Sequence, residues 1–144
     1  MVGVLDDIRV LEVASWVAGP SCGALMADMG ADVVKVEPLR GDGMRGLLRQ
    51  PQAPDGVAAH DLPFLLDNRG KRSLAVDLSH ADGAALVRSL ALQVDVVVTN
   101  LLPRRLQRYG LGFDGLRAER PDLICALVTG YGPRATRPTG PAST

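Results

Sequence analysis

Four short groups of residues carry chemistry that a ligand could use. Ala18-Gly19-Pro20 follows an apolar run and opens a helical stretch. Such a turn leaves N–H groups free at the positive end of a helix, where phosphate or carboxylate is favoured. An ordinary strand-to-helix turn would need the same glycine. Lys71-Arg72, preceded by Asn68-Arg69-Gly70, stands between a long irregular stretch and a strand. The pair either holds a phosphate or forms a solvated turn. Thr99-Asn100-Leu101 closes a run of valines. An Asn at the carboxyl end of a buried strand can bond a ligand through its amide, or satisfy the backbone of a turn. Arg104, Arg105 and Arg108 form the fourth group. Arg104 and Arg108 lie four apart, on one side of a short helix, as a phosphate clamp or as a solvated face.

Other chemistry is missing. Gly19 and Gly23 are four apart and their turn has no G-x-G, so the dinucleotide fingerprint is not met. Glu37, at the end of a strand, resembles the ribose-binding acid of that fold by position alone. His60 and His80 have no Ser, Cys or Asp partner at an informative spacing, and two histidines make no metal motif. There is no P-loop or C-x-x-C. Cys22 and Cys125 are far apart and read as two buried free thiols in a reducing, cytoplasmic setting.

The elements that must position these groups follow from the apolar pattern. Ile8 to Val13, Asp32 to Glu37, Ser73 to Asp77, Val94 to Thr99 and Leu123 to Thr129 are β-branched or apolar runs and read as strands. Pro20 to Met29 reads as a helix with Pro20 at its first position and Gly30 ending it. A second helix, capped by Ser79, runs to about Leu92, with Ala84, Val87, Leu90 and Ala91 on its inner face. Pro103 to Tyr109 and Asp114 to Glu119 read as short helices, and Pro38 to Gly70 as a long loop without a period. Strands alternating with helices predict an α/β fold around a Rossmann-like, mostly parallel sheet. The outer face of the last strand has no further helix to cover it, which invites association.

Composition limits the classes. The 144 residues hold 16 basic and 16 acidic side chains, so no global positive field favours nucleic acid. Fourteen of the bases are Arg; Lys35 and Lys71 are the two lysines. Aromatic residues are 3%, which leaves the core to Ala, Val, Leu and Ile. No run approaches the length of a membrane span, and the first residues, with Asp6 and Asp7, do not form a secretory signal.

The stretches VLEVASWVAGPSCGALMADMGADVVKVEP, NRGKRSLAVDL, ADGAALVRSL and DVVVTNLLPRRLQRYGLGFDGLRAERPDLICALVTGYG resemble, in order and spacing, the N-terminal part of the class III CoA-transferase family. This CaiB/BaiF group includes formyl-CoA transferase and α-methylacyl-CoA racemase. The resemblance implies a truncated large domain of a two-domain family fold over residues 1–132, followed by an irregular tail over 133–144. It implies acyl-CoA and a carboxylic acid as substrates, with coenzyme A as substrate rather than as a covalently bound cofactor. It also implies a homo-oligomer, an interlocked dimer in complete relatives, with neither a nucleic acid nor a membrane as partner. By position the family's CoA contacts fall at Val17, Ala18, Asn100, Leu101 and Arg108. The Arg that commonly follows the second strand is replaced by Pro38, and its role passes to Arg40.

The resemblance supplies no catalytic residue. Where the family has a G-x-D or H-D element before its nucleophilic Asp, this chain has GPRATRPTGPAST, and none of Asp28, Asp32, Asp77, Asp95 or Asp114 matches. An incomplete piece without turnover of its own is therefore expected. The alternatives are a stand-alone CoA- or nucleotide-binding module, a racemase-type fragment, and a nicotinamide-binding domain, which the missing G-x-G disfavours.

Overall fold

The computed structural model describes residues 3–46, 61–130 and 132. His60, Tyr131 and the tail 133–144 lie outside them. Five strands form one sheet: β1 (Arg9–Val13), β2 (Asp32–Glu37), β3 (Arg72–Ala75), β4 (Val96–Thr99) and β5 (Ile124–Leu127). Their order is β3-β2-β1-β4-β5 and all four pairings are parallel. The predicted Rossmann-like sheet is therefore present. Each predicted strand is present, with the ladder trimmed at the ends. Val94, for example, is buried but precedes the paired residues.

Helices cover both faces of the central strands β2, β1 and β4, as buried parallel strands require; the edge strands are less covered, β3 being mostly exposed and β5 half-buried with an exposed Ile124. α1 (Ala18–Asp28) and α2 (Leu62–Asn68) pack on one face. There, alternate strand residues Val10, Val33, Val96 and Val98 meet Cys22, Met26 and Ala27. α3 (Ala81–Ala91), α4 (Pro103–Arg108) and α5 (Phe113–Glu119) supply Val87, Ala91, Leu106 and Leu116 to the other face, against Leu11, Val13, Val36 and Val97. The core is aliphatic, as the low aromatic content requires.

Four sequence expectations are corrected. α1 begins two residues early, so Pro20 is its third residue. The ring is still tolerated, because first-turn N–H groups have no partner inside the helix. Ser79 does not cap α3. Its N–H and hydroxyl bond Asp77 at 2.8 and 2.6 Å, and His80 takes the cap position, accepting from the Asp82 N–H at 3.4 Å. The long loop contains α2, whose Pro63 starts a helix rather than breaking one. Seven residues are too few to show a period, and Phe64 is its one buried side chain. Cys22 and Cys125 are free, as expected, but half-buried rather than buried.

Leu116 is fully enclosed on the α3–α5 side. Leu116→Ala is expected to lower unfolding stability by about 2–5 kcal/mol, read as a drop in urea midpoint at unchanged slope.

Candidate functional site

Strand order reverses between β1 and β4, and the crevice beyond their carboxyl ends is where open α/β sheets bind ligands. Side chains extend the sheet there. The Thr99 hydroxyl donates to the Val13 carbonyl at 2.7 Å and accepts from the Leu101 N–H at 3.1 Å. The Asn100 carboxamide pairs twice with Ser15, donating to its carbonyl at 2.7 Å and accepting from its N–H at 3.1 Å. Gly19 lets α1 approach this point: a Cβ there would lie 2.5 Å from that of Ala14.

Two joined hollows open over the strand ends. One, of about 430 Å³, has apolar walls from Val13, Ala14, Val36, Val76, Leu78 and Tyr109. The other, of about 510 Å³, is framed by Trp16, Gly41, Gly43, Asn100 and Leu102. Ser15, Pro38, Arg40, Leu101 and Arg105 line both, so a single groove carries two guanidinium groups at its waist. Neither Arg40 nor Arg105 has an acidic partner among the described residues. A further cavity of about 490 Å³ lies between α4, α5 and β5. Its one cation, Arg88, is already bonded to Gly110 and Glu119, so it offers an anion little.

Beneath the groove, against α1 and α2, lies a set of buried charges. Glu12 on β1 and Lys35 on β2 are register partners. The Lys35 ammonium is 2.9 Å from Glu12 Oε1, 2.9 Å from the Ala14 carbonyl and 2.8 Å from Asp42 Oδ2. The Lys71 ammonium is 2.6 Å from Glu12 Oε2 and also donates to the carbonyls of Pro20 and Asp67 and to Asn68 Oδ1. Burial pulls the Lys71 pKa down, and Glu12 works against that pull. Gly23 makes room for this pair, since a Cβ there would come within 2.1 Å of Glu12 Oε2. Glu37 is a third buried acid. It accepts from Arg45 at 2.7 and 2.8 Å, from the Ser73 hydroxyl at 2.7 Å and from the Asp42 N–H at 2.9 Å. The Arg45 guanidinium also lies 3.8 Å above the Phe64 ring.

The sequence profile of CoA-transferase family III matches residues 5–143. The chain belongs to CoA-transferase family III. It is 43% identical over 129 residues to a succinyl-CoA–D-citramalate CoA-transferase of Chloroflexus aurantiacus, an alignment covering 89% of this chain and 31% of the relative. It is 44% identical over 131 residues to a succinate–glutarate CoA-transferase of Agrobacterium fabrum, covering 89% and 32%. A CaiB/BaiF family protein of Brucella suis superposes with a TM-score of 0.83 at 37% identity, over 94% of this chain and 36% of that one. The chain thus spans about a third of the length of the curated relatives it matches.

Within this family III chain the sequence-predicted residues are dispersed around the crevice. Arg40 and Leu101 line both hollows, and Asn100 lines the second with its amide bonded to Ser15. Val17 is the N-cap of α1 and Ala18 its first residue; both are exposed beside the crevice but do not line it. Arg108 is exposed at the end of α4 and lines neither hollow. Arg105, which sequence spacing did not single out from its neighbours, faces both. Lys71 is spent on internal acceptors and Arg72 pairs with Asp32 on the surface, and neither lines the hollows. Glu37 is likewise spent, and cannot serve as a ribose acid.

Burial alone would raise the Glu37 pKa. The bonds from Arg45, Ser73 and Asp42 outweigh it and hold the group at about 2, against an ordinary 4.5. The folded state therefore gains from its ionisation. That gain is complete above about pH 4.5 and disappears as pH falls toward about 2. Glu37→Gln is expected to flatten the acid limb of the stability–pH curve in this window, measured by urea unfolding at each pH.

Proposed function

We infer that the groove binds the coenzyme A part of an acyl-CoA, and that the chain supplies this site to an acyl-CoA:carboxylate CoA-transferase. The observation that carries the reading is the pair Arg40 and Arg105, lining both hollows of an apolar-walled groove at the switch point. Guanidinium groups suit the phosphates of the nucleotide end, and the apolar walls suit the pantetheine arm. Asn100 and Leu101 frame the same groove. Val17 and Ala18 stand at its edge, at the free end of α1, and Arg108 stands one helical turn beyond Arg104, further along the rim. Succinyl-CoA is the first donor to test, because both curated relatives carry succinate in their names.

Among the described residues the groove supplies no free carboxylate for covalent attack on an acyl group. Glu37 and Asp77 line it, but Glu37 is enclosed by Arg45 and Ser73, and Asp77 is bonded to Ser79. Our reading therefore assigns binding, not turnover, to these 144 residues by themselves. A stand-alone CoA-binding module is the second reading, favoured by the same absence of a nucleophile. We place the protein in the cytoplasm, where the free Cys22 and Cys125 stay reduced. We also place it in a homo-oligomer, which would cover the exposed Leu25 of α1, Met29 just after it, and Leu62 and Leu66 of α2.

Calorimetry of the chain is expected to show CoA binding more tightly than NAD. Arg105→Ala should weaken CoA about tenfold, the loss of one charge-assisted contact. NAD bound in preference to CoA would contradict the reading. With succinyl-CoA and a dicarboxylate acceptor the chain should show no turnover above buffer; turnover that survives heated-protein and host-enzyme controls would refute the assignment of binding alone.

A further inference from the structure

We propose that Asp42 is a positioning residue that holds Trp16 and the two walls of the groove in place; this rests on the reading of the groove as a CoA site. Trp16 has φ of 69°, a left-handed backbone that a bulky residue adopts only under constraint. Its side chain is half exposed and its indole lies across Gly43, where a Cβ would come within 2.9 Å of Cζ2. Such a conformation persists only when its surroundings fix it. Asp42 does so. Its Oδ1 accepts from the Trp16 N–H at 3.1 Å and from the Met44 N–H at 2.9 Å. Its Oδ2 sits 2.8 Å from the Lys35 ammonium, and both side chains are only 1% exposed. Its own N–H donates to Glu37 at 2.9 Å.

One carboxylate thus joins two segments that have no ladder between them. The turn after β1 brings Ser15 and Trp16 to the second hollow; the loop after β2 brings Pro38, Arg40, Gly41 and Gly43. Because Lys35 anchors Asp42 from inside the sheet layer, the spacing of the two walls is set by a buried ion pair rather than by the loop itself. Asp42 lines neither hollow. It acts through Trp16 and through the loop that carries Arg40.

Trp16 is the one tryptophan of the chain, so its emission reports on this arrangement alone. Asp42→Asn keeps the size of the side chain but turns an amide toward the Lys35 ammonium or toward the Trp16 N–H. The expected result is red-shifted emission, greater iodide quenching and a CoA Kd raised at least tenfold, with unchanged far-UV circular dichroism. Gly43→Ala pushes the indole aside without touching the buried charges. It should give the same emission shift and weaker CoA binding at an unchanged unfolding midpoint, which a loss of stability alone would not produce. Wild-type emission in a folded Asp42→Asn, or wild-type CoA affinity in either variant, overturns the proposal. If Asp42→Asn does not fold, Gly43→Ala decides: wild-type emission or affinity there overturns it. If the unaltered chain binds no CoA, the reading of the groove fails, while the emission of the two variants still decides the role of Asp42.

Discussion

The Lys35 ammonium is the constraint on which the rest depends. It sits inside the sheet layer, where an unpaired charge would be costly, and it is matched by Glu12, Asp42 and the Ala14 carbonyl. Through Glu12 it is coupled to Lys71, and through Lys71 to α1, α2 and the start of β3. Through Asp42 it reaches the turn and the loop that wall the groove. Removing one partner from such a buried set costs about 3–5 kcal/mol, since the remaining charge stays enclosed without compensation. The set is balanced: Glu12, Asp42 and Glu37 face Lys35, Lys71 and Arg45.

This arrangement gives meaning to a bias in composition. Fourteen of the sixteen bases are Arg, and the two lysines are, among the described residues, the two cations whose side chains are enclosed, at 1% and 2% exposure. No Arg among the described residues is buried. A compact ammonium meets acceptors that converge from several directions in a small space, whereas a planar guanidinium needs width and a matching plane. The same logic separates Lys71 from its neighbour Arg72, which lies on the surface beside Asp32. Chemistry that looks equivalent in the pair Lys71-Arg72 is internal in one residue and external in the other.

Strands and long helices were legible because their patterns are long or strongly β-branched; VVVT and DVVKVE leave little choice. α2 was hidden because seven residues with one buried side chain carry no period. The buried charges were not read from the sequence, although Glu12, Lys35 and Glu37 fall on the same sheet face as Val10 and Val33. Sequence alone could not pair them, because Asp42 and Lys71 arrive from loops whose path no periodicity encodes. At the crevice, the end-of-strand rule pointed to Asn100 and Leu101 and the family resemblance added Arg40, which line the hollows; Val17, Ala18 and Arg108, carried over by the same resemblance, do not. The choice between Arg104, Arg105 and Arg108 depends on the rotational setting of α4. That setting follows from Leu106 being the helix's one buried residue, and a six-residue helix does not reveal it in advance.

The groove at the switch point, which we propose takes CoA, is underlain by paired buried charges. Amide chemical-shift mapping of the chain titrated with CoA, with NAD as the comparison, tests that proposal most directly. CoA-dependent shifts are expected at Ser15, Trp16, Arg40, Asn100, Leu101 and Arg105, spreading to Asp42 and Met44. Shifts confined to Gln107, Phe113, Gly115 and Leu127 around the α4–α5 cavity, or a crevice that responds to NAD and not to CoA, would contradict it.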